Sequence, residues 1–242
     1  MPTSPSLPLT GERTVPGVAA ENYWFRRHEA AYRWLVRELP VPGAVVVEAG
    51  CGEGYGGQLL ADAGAAVVAG LDVDLATVRH AAIAYPGVPV AAANLVALPV
   101  ADRAVDLVVS SQVVEHLWDQ DAFVAECARV LRPGGRLVMT TPNRLTFPPG
   151  NVFHSRELAA PELRALVGRH LEVGAVLGLR PGPRLAADQA ENGDLVAAQM
   201  SAAGDPDDAL LARVAAVSAA DFVVDDHDLP GCLDLVLTAV RR

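Results

Sequence analysis

The stretch VVVEAGCGEGYGG, residues 45–57, decides the fold that this sequence predicts. It begins as an apolar strand, passes through a run of glycines and continues into a helical pattern. Glycine lets the backbone turn tightly against a ligand, and the helix that follows points its amide groups at the same place. The spacing Gly52-x-Gly54-x-x-Gly57 fits a dinucleotide-binding fingerprint, and a tight strand-to-helix turn without a ligand explains a lone fingerprint as well.

Two carboxylates beside this loop indicate which ligand it takes. Asp72 ends the next predicted strand, where a carboxylate accepts hydrogen bonds from both hydroxyls of a ribose. Glu48 stands just before the glycines, where its charge would repel a pyrophosphate and attract an ammonium or sulfonium group. The pair therefore favours S-adenosylmethionine over NAD.

The segments around the loop alternate between apolar strands and helices. Strands without polar alternation that are separated by helices are typical of a parallel sheet covered on both faces. The sequence thus predicts an α/β protein with a flexible segment or lid over 1–18, a single domain over 19–242 and an insertion near 180–220. The predicted strands are 44–49, 66–72, 88–93, 105–110, 136–141, 171–179 and 232–240, and the predicted helices are 19–39, 55–63, 75–85, 121–131 and 155–169.

The composition limits the partners. All 19 basic residues are arginines, and the net charge of the 242 residues is −10. Phosphate backbones are bound through basic residues, so this charge argues against a nucleic acid. No apolar run approaches the ~20 residues of a membrane span, so we expect no membrane partner. The three cysteines form no metal-type pair, which favours a reduced, cytoplasmic protein.

A polar cluster, QVVEHLWD at residues 112–119, directly follows the predicted strand 105–110. If this segment is helical, Gln112, Glu115 and His116 lie on one face, because residues three and four apart are neighbours on a helix. Three interpretations remain open for such a cluster: helix capping, a catalytic base and a metal site.

Four sequence blocks, EAGCGEGYG, LDVD, ANLVALPVADRAVDLVVS and LRPGGRLVMTTPN, stand in the order of the cofactor blocks of class I methyltransferases. The sequence resembles that family over residues 44–143. The resemblance implies a Rossmann-like, seven-stranded, mostly parallel sheet with an antiparallel last strand, and S-adenosylmethionine as the methyl donor. The cofactor contacts that it implies are Glu48, Gly50, Gly52 and Gly54 at the methionine portion, Asp72 and Val73 at the ribose, Asn94 and Leu95 at the adenine, and Gln112 beside them.

The segment with Glu115 and His116 resembles the metal-dependent O-methyltransferases of quinone biosynthesis, which carry Glu-x-x-Glu-His at this position. It also resembles the small-RNA 2′-O-methyltransferases, which add a histidine from a later loop, as His154 would here. These resemblances imply that Glu115, His116 and His154 are catalytic and bind a divalent metal, Mg²⁺ or Mn²⁺, with Gln112 a weaker ligand than the family's glutamate. In the absence of a metal, His116 would act as a general base.

The blocks LTGERTVP, ENYWFRRHEAAY, QVVEHLWDQ and NVFHSREL closely resemble the actinobacterial sugar O-methyltransferases that cap the reducing end of methylmannose polysaccharide precursors. This resemblance implies a short, partly methylated mannoside as the acceptor, methylated at its 1-hydroxyl. The alternatives are a phenolic or quinone-type acceptor, a nicotinamide-dependent oxidoreductase and a silent cofactor-binding subunit, and a homodimer is compatible with each. Five aromatic residues are candidates either for sugar contacts or for ordinary packing: Tyr23, Trp24, Trp118, Phe147 and Phe153.

Overall fold

An eight-stranded sheet forms the centre of the protein in the computed structural model, which describes residues 14–202 and 206–242. The strand order is β3-β2-β1-β4-β5-β8-β6-β7. Strands β1 to β5 are parallel, and β8 runs antiparallel to both of its neighbours, β5 and β6. The strands are β1 (Val45–Ala49), β2 (Val67–Asp72), β3 (Val90–Ala92), β4 (Val105–Ser111), β5 (Leu131–Pro142), β6 (Glu172–Pro181), β7 (Phe222–Asp225) and β8 (Asp234–Val240).

The predicted α/β architecture with an antiparallel last strand is confirmed, and the sheet has one strand more than predicted. The additional strand is β7, which pairs antiparallel with β6 at the edge of the sheet. Its sequence lies inside the acidic stretch DFVVDDHD, which gave no strand signal because it offers too few alternating residues. Strand β5 also begins earlier than predicted, at Leu131, because the RPGG segment belongs to the strand and is not a turn that precedes it.

Helices cover both faces of the sheet because successive side chains of each strand point in opposite directions. In β1, for example, Val46 belongs to the same apolar layer as the helices that carry Leu35 and Leu60, whereas Val47 belongs to the opposite layer, with the helices that carry Phe123 and Leu163. The helices are α1 (Asn22–Glu38), α2 (Tyr55–Asp62), α3 (Leu75–Ala84), α4 (Gln120–Val130), α5 (Ala160–Val167), α6 (Pro183–Asn192), α7 (Leu195–Ser201) and α8 (Asp208–Ala215). Helix α5 is shorter than predicted, since residues 155–159 form a loop.

The insertion predicted near 180–220 forms helices α6, α7 and α8, which pack against the layer that contains α1. A buried ion pair joins α1 to the last strand: Arg27 Nε donates to Asp234 Oδ2 over 2.6 Å, and its Nη2 donates to Leu233 O over 2.9 Å. Most of the segment predicted as a lid, residues 1–13, lies outside the described residues. Among the residues that are described, no helix has the length and apolar character needed to cross a membrane.

Candidate functional site

Two adjacent cavities open at the edge of the sheet where the parallel strands end. We call the first, of about 360 Å³, the glycine-loop cavity, and the second, of about 370 Å³, the histidine cavity. Both volumes lie within the range of small-molecule sites. Four described residues line both cavities and therefore mark the passage between them: Thr14, His28, Gln112 and His116.

The glycine-loop cavity is built from the loop after β1 and the end of β2. Gly50 and Gly52 have positive φ angles of 84° and 48°, which glycine adopts without strain. A Cβ at Gly50 would lie 2.2 Å from Val113, so the loop packs directly against the segment after β4. The amides of Gly50 and Cys51 both donate to Leu71 O, over 2.7 Å and 2.9 Å, which fixes the loop against β2.

Asp72 stands at the end of β2 and lines this cavity together with Val73 and Leu95. Its Oδ2 accepts a hydrogen bond from Gly52 N over 3.0 Å, and its Oδ1 accepts one from Asp74 N over 3.0 Å. The carboxylate therefore holds the glycine loop in place. Each carboxylate oxygen has further acceptor capacity, so the predicted contact with ribose hydroxyls remains open to it.

Three residues predicted at the cofactor do not line the cavity: Glu48 and Gly54 are buried behind its wall, and Asn94 is exposed. Glu48 is buried beneath the first turn of α2, where its Oε1 accepts from Tyr32 Oη over 2.6 Å. Burial raises the pKa of Glu48 to about 8, so the predicted exposed charge at the mouth of β1 is wrong. Gly54, at φ 90°, makes the turn into α2, and its absent side chain leaves room for Tyr85. Asn94 accepts from Val96 N over 3.1 Å and faces away from the cavity.

The segment after β4 turns away from the strand through a strained residue and not through a helix. Gln112 has a φ of 56°, which a residue with a side chain rarely adopts, and its Nε2 donates to Thr140 Oγ1 over 3.2 Å. A single 3₁₀ turn, Val114–His116, follows. The predicted helix is therefore wrong here, but Glu115 and His116 still reach the site. Backbone strain of this kind is often retained at functional sites.

The loop between β5 and α5 is tied to this turn and carries His154 to it. Ser155 N and Ser155 Oγ donate to Glu115 O over 2.8 Å and 3.0 Å, and Ser155 Oγ also donates to Leu117 O over 2.6 Å. As a result the rings of His116 and His154 meet edge to face, with centroids 4.8 Å apart. The two histidines are far apart in sequence, and a few backbone contacts bring them together.

Glu115, His116 and His154 bring potential metal-ligand atoms within 4.8 Å of one another. Glu115 is almost fully buried; its Oε2 accepts from Thr141 Oγ1 over 3.0 Å, and its Oε1 has no hydrogen-bond partner within residues 14–202 and 206–242. Burial raises the pKa of Glu115 to about 8. A buried oxygen without a partner costs free energy unless something pairs with it, and a cation would do so. The donor set of one carboxylate and two imidazoles thus fits a divalent metal.

The tautomers of the two histidines suit the same role. His116 Nδ1 lies 3.2 Å from Phe153 O, and a carbonyl only accepts, so Nδ1 carries the hydrogen and Nε2 keeps its lone pair. His154 Nδ1 donates to Glu157 Oε1 over 2.8 Å, and its Nε2 accepts from Asn151 Nδ2 over 3.1 Å, a hydrogen bond that a cation at Nε2 would replace. Burial and the neighbouring His154 both lower the pKa of His116, which keeps its ring neutral. Carboxylates that orient ligand histidines in this way are common at metal sites.

A second polar group, on α1, had not been predicted as part of the site. His28 Nδ1 lies 3.3 Å from both Thr14 Oγ1 and Tyr55 Oη, and these two hydroxyls are 3.1 Å apart. Burial lowers the pKa of His28 to about 4. The available signal was a histidine on the otherwise apolar face of α1, next to Trp24 and Leu35, which is an unusual place for a polar ring.

The candidate aromatic residues divide between the cavities and other environments. Trp24 and Phe147 line the histidine cavity, and Phe153 lines the glycine-loop cavity. Tyr23 is fully buried and packs against Phe222, whereas Trp118 is 94% exposed and lines neither cavity. Tyr23 is therefore a packing residue of the core, and Trp118 lies on the surface away from both cavities.

Comparisons with known proteins agree with this geometry. A family model described as "Methyltransferase domain" matches residues 47–139. A "Probable S-adenosylmethionine-dependent methyltransferase" of Mycolicibacterium smegmatis is 50% identical over 98% of this chain and 96% of its own length. A relative of the same description in Mycobacterium tuberculosis is 47% identical, over 97% of this chain and 90% of its own length. The crystal structure of a methyltransferase from Thermotoga maritima superposes with a TM-score of 0.63 at 18% identity, covering 93% of this chain and 96% of that one.

Proposed function

This chain belongs to the S-adenosylmethionine-dependent methyltransferases, and from that premise we propose that it methylates a hydroxyl of a short, partly methylated mannoside with the help of a divalent metal. The observation that carries the proposal is the cluster of Glu115, His116 and His154 in the histidine cavity, of which His116 also lines the glycine-loop cavity. Family membership leaves no support for a nicotinamide-dependent oxidoreductase.

In this proposal the methyl donor occupies the glycine-loop cavity and the acceptor occupies the histidine cavity. Asp72 would bind the ribose hydroxyls of the donor, and the loop amides would approach its methionine portion. The sulfonium would face the passage, where Gln112 and His116 line both cavities. Methyl transfer requires the acceptor oxygen to approach the methyl group in line with the breaking carbon–sulfur bond, so positioning is a large part of the catalysis.

Glu115, His116 and His154 would hold a divalent cation, Mg²⁺ or Mn²⁺, on the acceptor side. When bound, such a cation lowers the pKa of a coordinated oxygen, which a weakly acidic sugar hydroxyl needs before it can attack. Glu157 orients His154 through its Nδ1, and Phe153 O orients His116 in the same way. Neutral His116 can also accept the proton that the acceptor hydroxyl loses.

The mannoside acceptor is supported by the sequence blocks from the N-terminal segment, the 112–120 turn and the 141–158 loop. Described residues of each block line the histidine cavity, and that lining combines apolar rings with polar groups. Trp24 and Phe147 offer flat apolar surfaces, which suit the C–H faces and methyl ethers of a partly methylated sugar. Gln112 and Asn151 supply amide groups for its hydroxyls.

The test is methyl transfer from S-adenosylmethionine to a series of mannosides, with and without methyl ethers, and to a phenolic acceptor. The purified protein is assayed after EDTA treatment and after addition of Mg²⁺ or Mn²⁺. We expect product with a methylated mannoside, little activity after EDTA and recovery with metal. Product with the phenolic acceptor alone would show that the acceptor is the phenolic candidate and not a mannoside. Full activity after EDTA would show that no metal is needed and would leave His116 as the general base.

A further inference from the structure

Helix α7, in the middle of the insertion, contributes two side chains to the histidine cavity. They are Val196 and Met200, which are four residues apart and therefore lie on the same face of the helix. Val196 is partly buried, whereas Met200 is 61% exposed. The face of α7 thus runs from the interior of the cavity to its rim.

Contacts of the described residues of the insertion with the rest of the fold position α7. Gln199 Nε2 donates to Ala20 O over 2.7 Å, and Leu195, at the start of α7, is fully buried. Asn22 Nδ2 donates to Val214 O and Val217 O, each over 2.9 Å, which anchors the end of the insertion to the start of α1. Helix α7 is therefore held by the 3₁₀ turn Ala19–Glu21 that precedes α1, and through its contacts with α8 by the start of α1, the helix that carries Trp24.

The two cavities differ in their use of this insertion. Of the described residues in 183–215, Val196 and Met200 line the histidine cavity, and none lines the glycine-loop cavity. Val196 and Met200 join Trp24 as apolar residues that line the histidine cavity, which the charged residues Glu21 and Arg27 also line. A change on α7 should consequently alter what enters the histidine cavity and leave binding in the glycine-loop cavity as it is.

We propose that α7 determines acceptor specificity, with Val196 limiting the unit that carries the reacting hydroxyl and Met200 contacting the next unit. This inference rests on the proposed function, because it takes the histidine cavity as the acceptor site. The cavity volume of about 370 Å³ is near the lower limit for ligand sites, so a longer acceptor must pass the rim where Met200 lies. Apolar side chains there accept C–H faces and methyl ethers, and they disfavour free hydroxyls that would lose water without gaining a partner.

The test compares three variants on acceptors of one unit and of several units. Met200→Ala should lower kcat/KM roughly 5- to 10-fold for the longer acceptors and leave the single-unit acceptor unchanged. Val196→Phe should lower kcat/KM for every acceptor by about 10-fold or more, because the larger ring fills the inner cavity. Ala197→Phe is the matched control, since Ala197 is exposed on the same helix and lines neither cavity.

S-adenosylhomocysteine should bind all three variants as tightly as the wild type, as measured by calorimetry. The inference is overturned if Met200→Ala affects all acceptor lengths equally or none, if Ala197→Phe matches Val196→Phe, or if cofactor affinity falls. Failure of the proposed function is seen separately, in the wild-type enzyme, as an absence of product from any mannoside. In that case the same variants are assayed with phenolic acceptors that carry short or long substituents.

Discussion

The glycine-loop cavity and the histidine cavity adjoin each other but are assembled in different ways. The first centres on chain segments that directly continue two paired strands, so backbone geometry shapes that part of it, and residues of α1, the turn after β4 and Phe153 complete its wall. The second collects side chains from α1, the turn after β4, the loop after β5 and α7, which are remote in sequence. This difference teaches that a common donor can be bound by a local backbone motif, while a particular acceptor requires long-range contacts.

The largest expected effect concerns the histidine cavity. Glu115→Ala should lower metal-stimulated kcat by more than about 100-fold, because removing even an outer partner of a metal ligand costs roughly 10- to 100-fold. Affinity for S-adenosylhomocysteine should remain near the wild-type value, since Glu115 does not line the glycine-loop cavity. The measurements are steady-state rates with added Mg²⁺ or Mn²⁺ and calorimetric titration of the cofactor product.

Thermal unfolding provides the control for this variant. The substitution removes Oε1, which is buried without a partner among the described residues, and it breaks the hydrogen bond from Thr141 Oγ1 to Oε2, so we expect a smaller loss of stability than a large apolar core truncation causes. Gln112→Ala should cost less activity than Glu115→Ala, because an amide oxygen is a weak ligand. If Glu115→Ala weakened cofactor binding as strongly as activity, the division between the two cavities would be disproved.

The second effect concerns the glycine-loop cavity. Asp72→Ala should weaken S-adenosylhomocysteine binding by about 1.5–3 kcal/mol, the value of a hydrogen bond to a charged group, or roughly 10- to 150-fold in Kd. Part of this loss would come from the loop, since Asp72 also accepts from Gly52 N. Asp72→Asn keeps an acceptor for that amide and isolates the effect of the charge. An unchanged Kd in Asp72→Ala would remove this carboxylate from the cofactor site.

A third effect concerns stability beneath the glycine loop. The pKa of Glu48 is raised to about 8 in the folded protein, so folding retains a proton that the unfolded chain releases above its ordinary pKa of 4.5. The stabilisation is complete below that ordinary value and is lost as the pH rises toward 8, at up to about 1.4 kcal/mol per pH unit. Glu48→Gln cannot titrate and should flatten this slope in urea unfolding between pH 5 and pH 8.

Tyr32→Phe is the companion variant for Glu48. The hydroxyl of Tyr32 donates to Glu48 and favours its charged form, so its removal should raise the Glu48 pKa further and steepen the upper part of the profile. Equal slopes in the wild type and in Glu48→Gln would show that the carboxyl does not titrate in this range.

The smallest expected effect lies at the passage between the cavities. Thr14→Val removes a hydroxyl from the contacts with His28 and Tyr55 and should lower the free energy of unfolding by about 0.5–1.5 kcal/mol. In the wild type we expect S-adenosylhomocysteine to slow trypsin cleavage after Arg13, and this protection should be weaker in Thr14→Val. Cleavage at the same rate with and without ligand in the wild type would contradict a closing N-terminal segment.

The two cavities also differ in how far the sequence predicted them. Gly50, Gly52 and Asp72 were predictable because positive φ angles and strand ends leave a direct trace in residue type and spacing. Glu48 was misplaced because residue order cannot tell whether a carboxylate at a strand end faces the ligand or the helix above it. The hydrogen bond from Tyr32 on α1 to Glu48 on β1 determines this orientation, and it is a contact between two elements that the order of residues does not reveal.

In the histidine cavity the sequence predicted three residues that the fold brings together, and it missed the backbone that presents them. Glu115, His116 and His154 were recognised by chemistry and resemblance, and the turn that presents them was expected to be a helix. The strained φ of Gln112 and the anchoring of Ser155 to Glu115 O are decided by tertiary contacts, which override local preference. His28, Val196 and Met200 had little or no pattern of their own, because their role depends only on where α1 and α7 pack.

The interior position of β8 has a consequence for how the chain folds during synthesis. Residues 234–240 lie between β5 and β6, so the two parts of the sheet cannot join before this segment has been made. Until then Arg27 also lacks Asp234, its buried counter-ion. A nascent chain that stops earlier exposes two apolar strand edges, which favours aggregation or capture by chaperones. The two parts of the sheet therefore join only after residues 234–240 have left the ribosome.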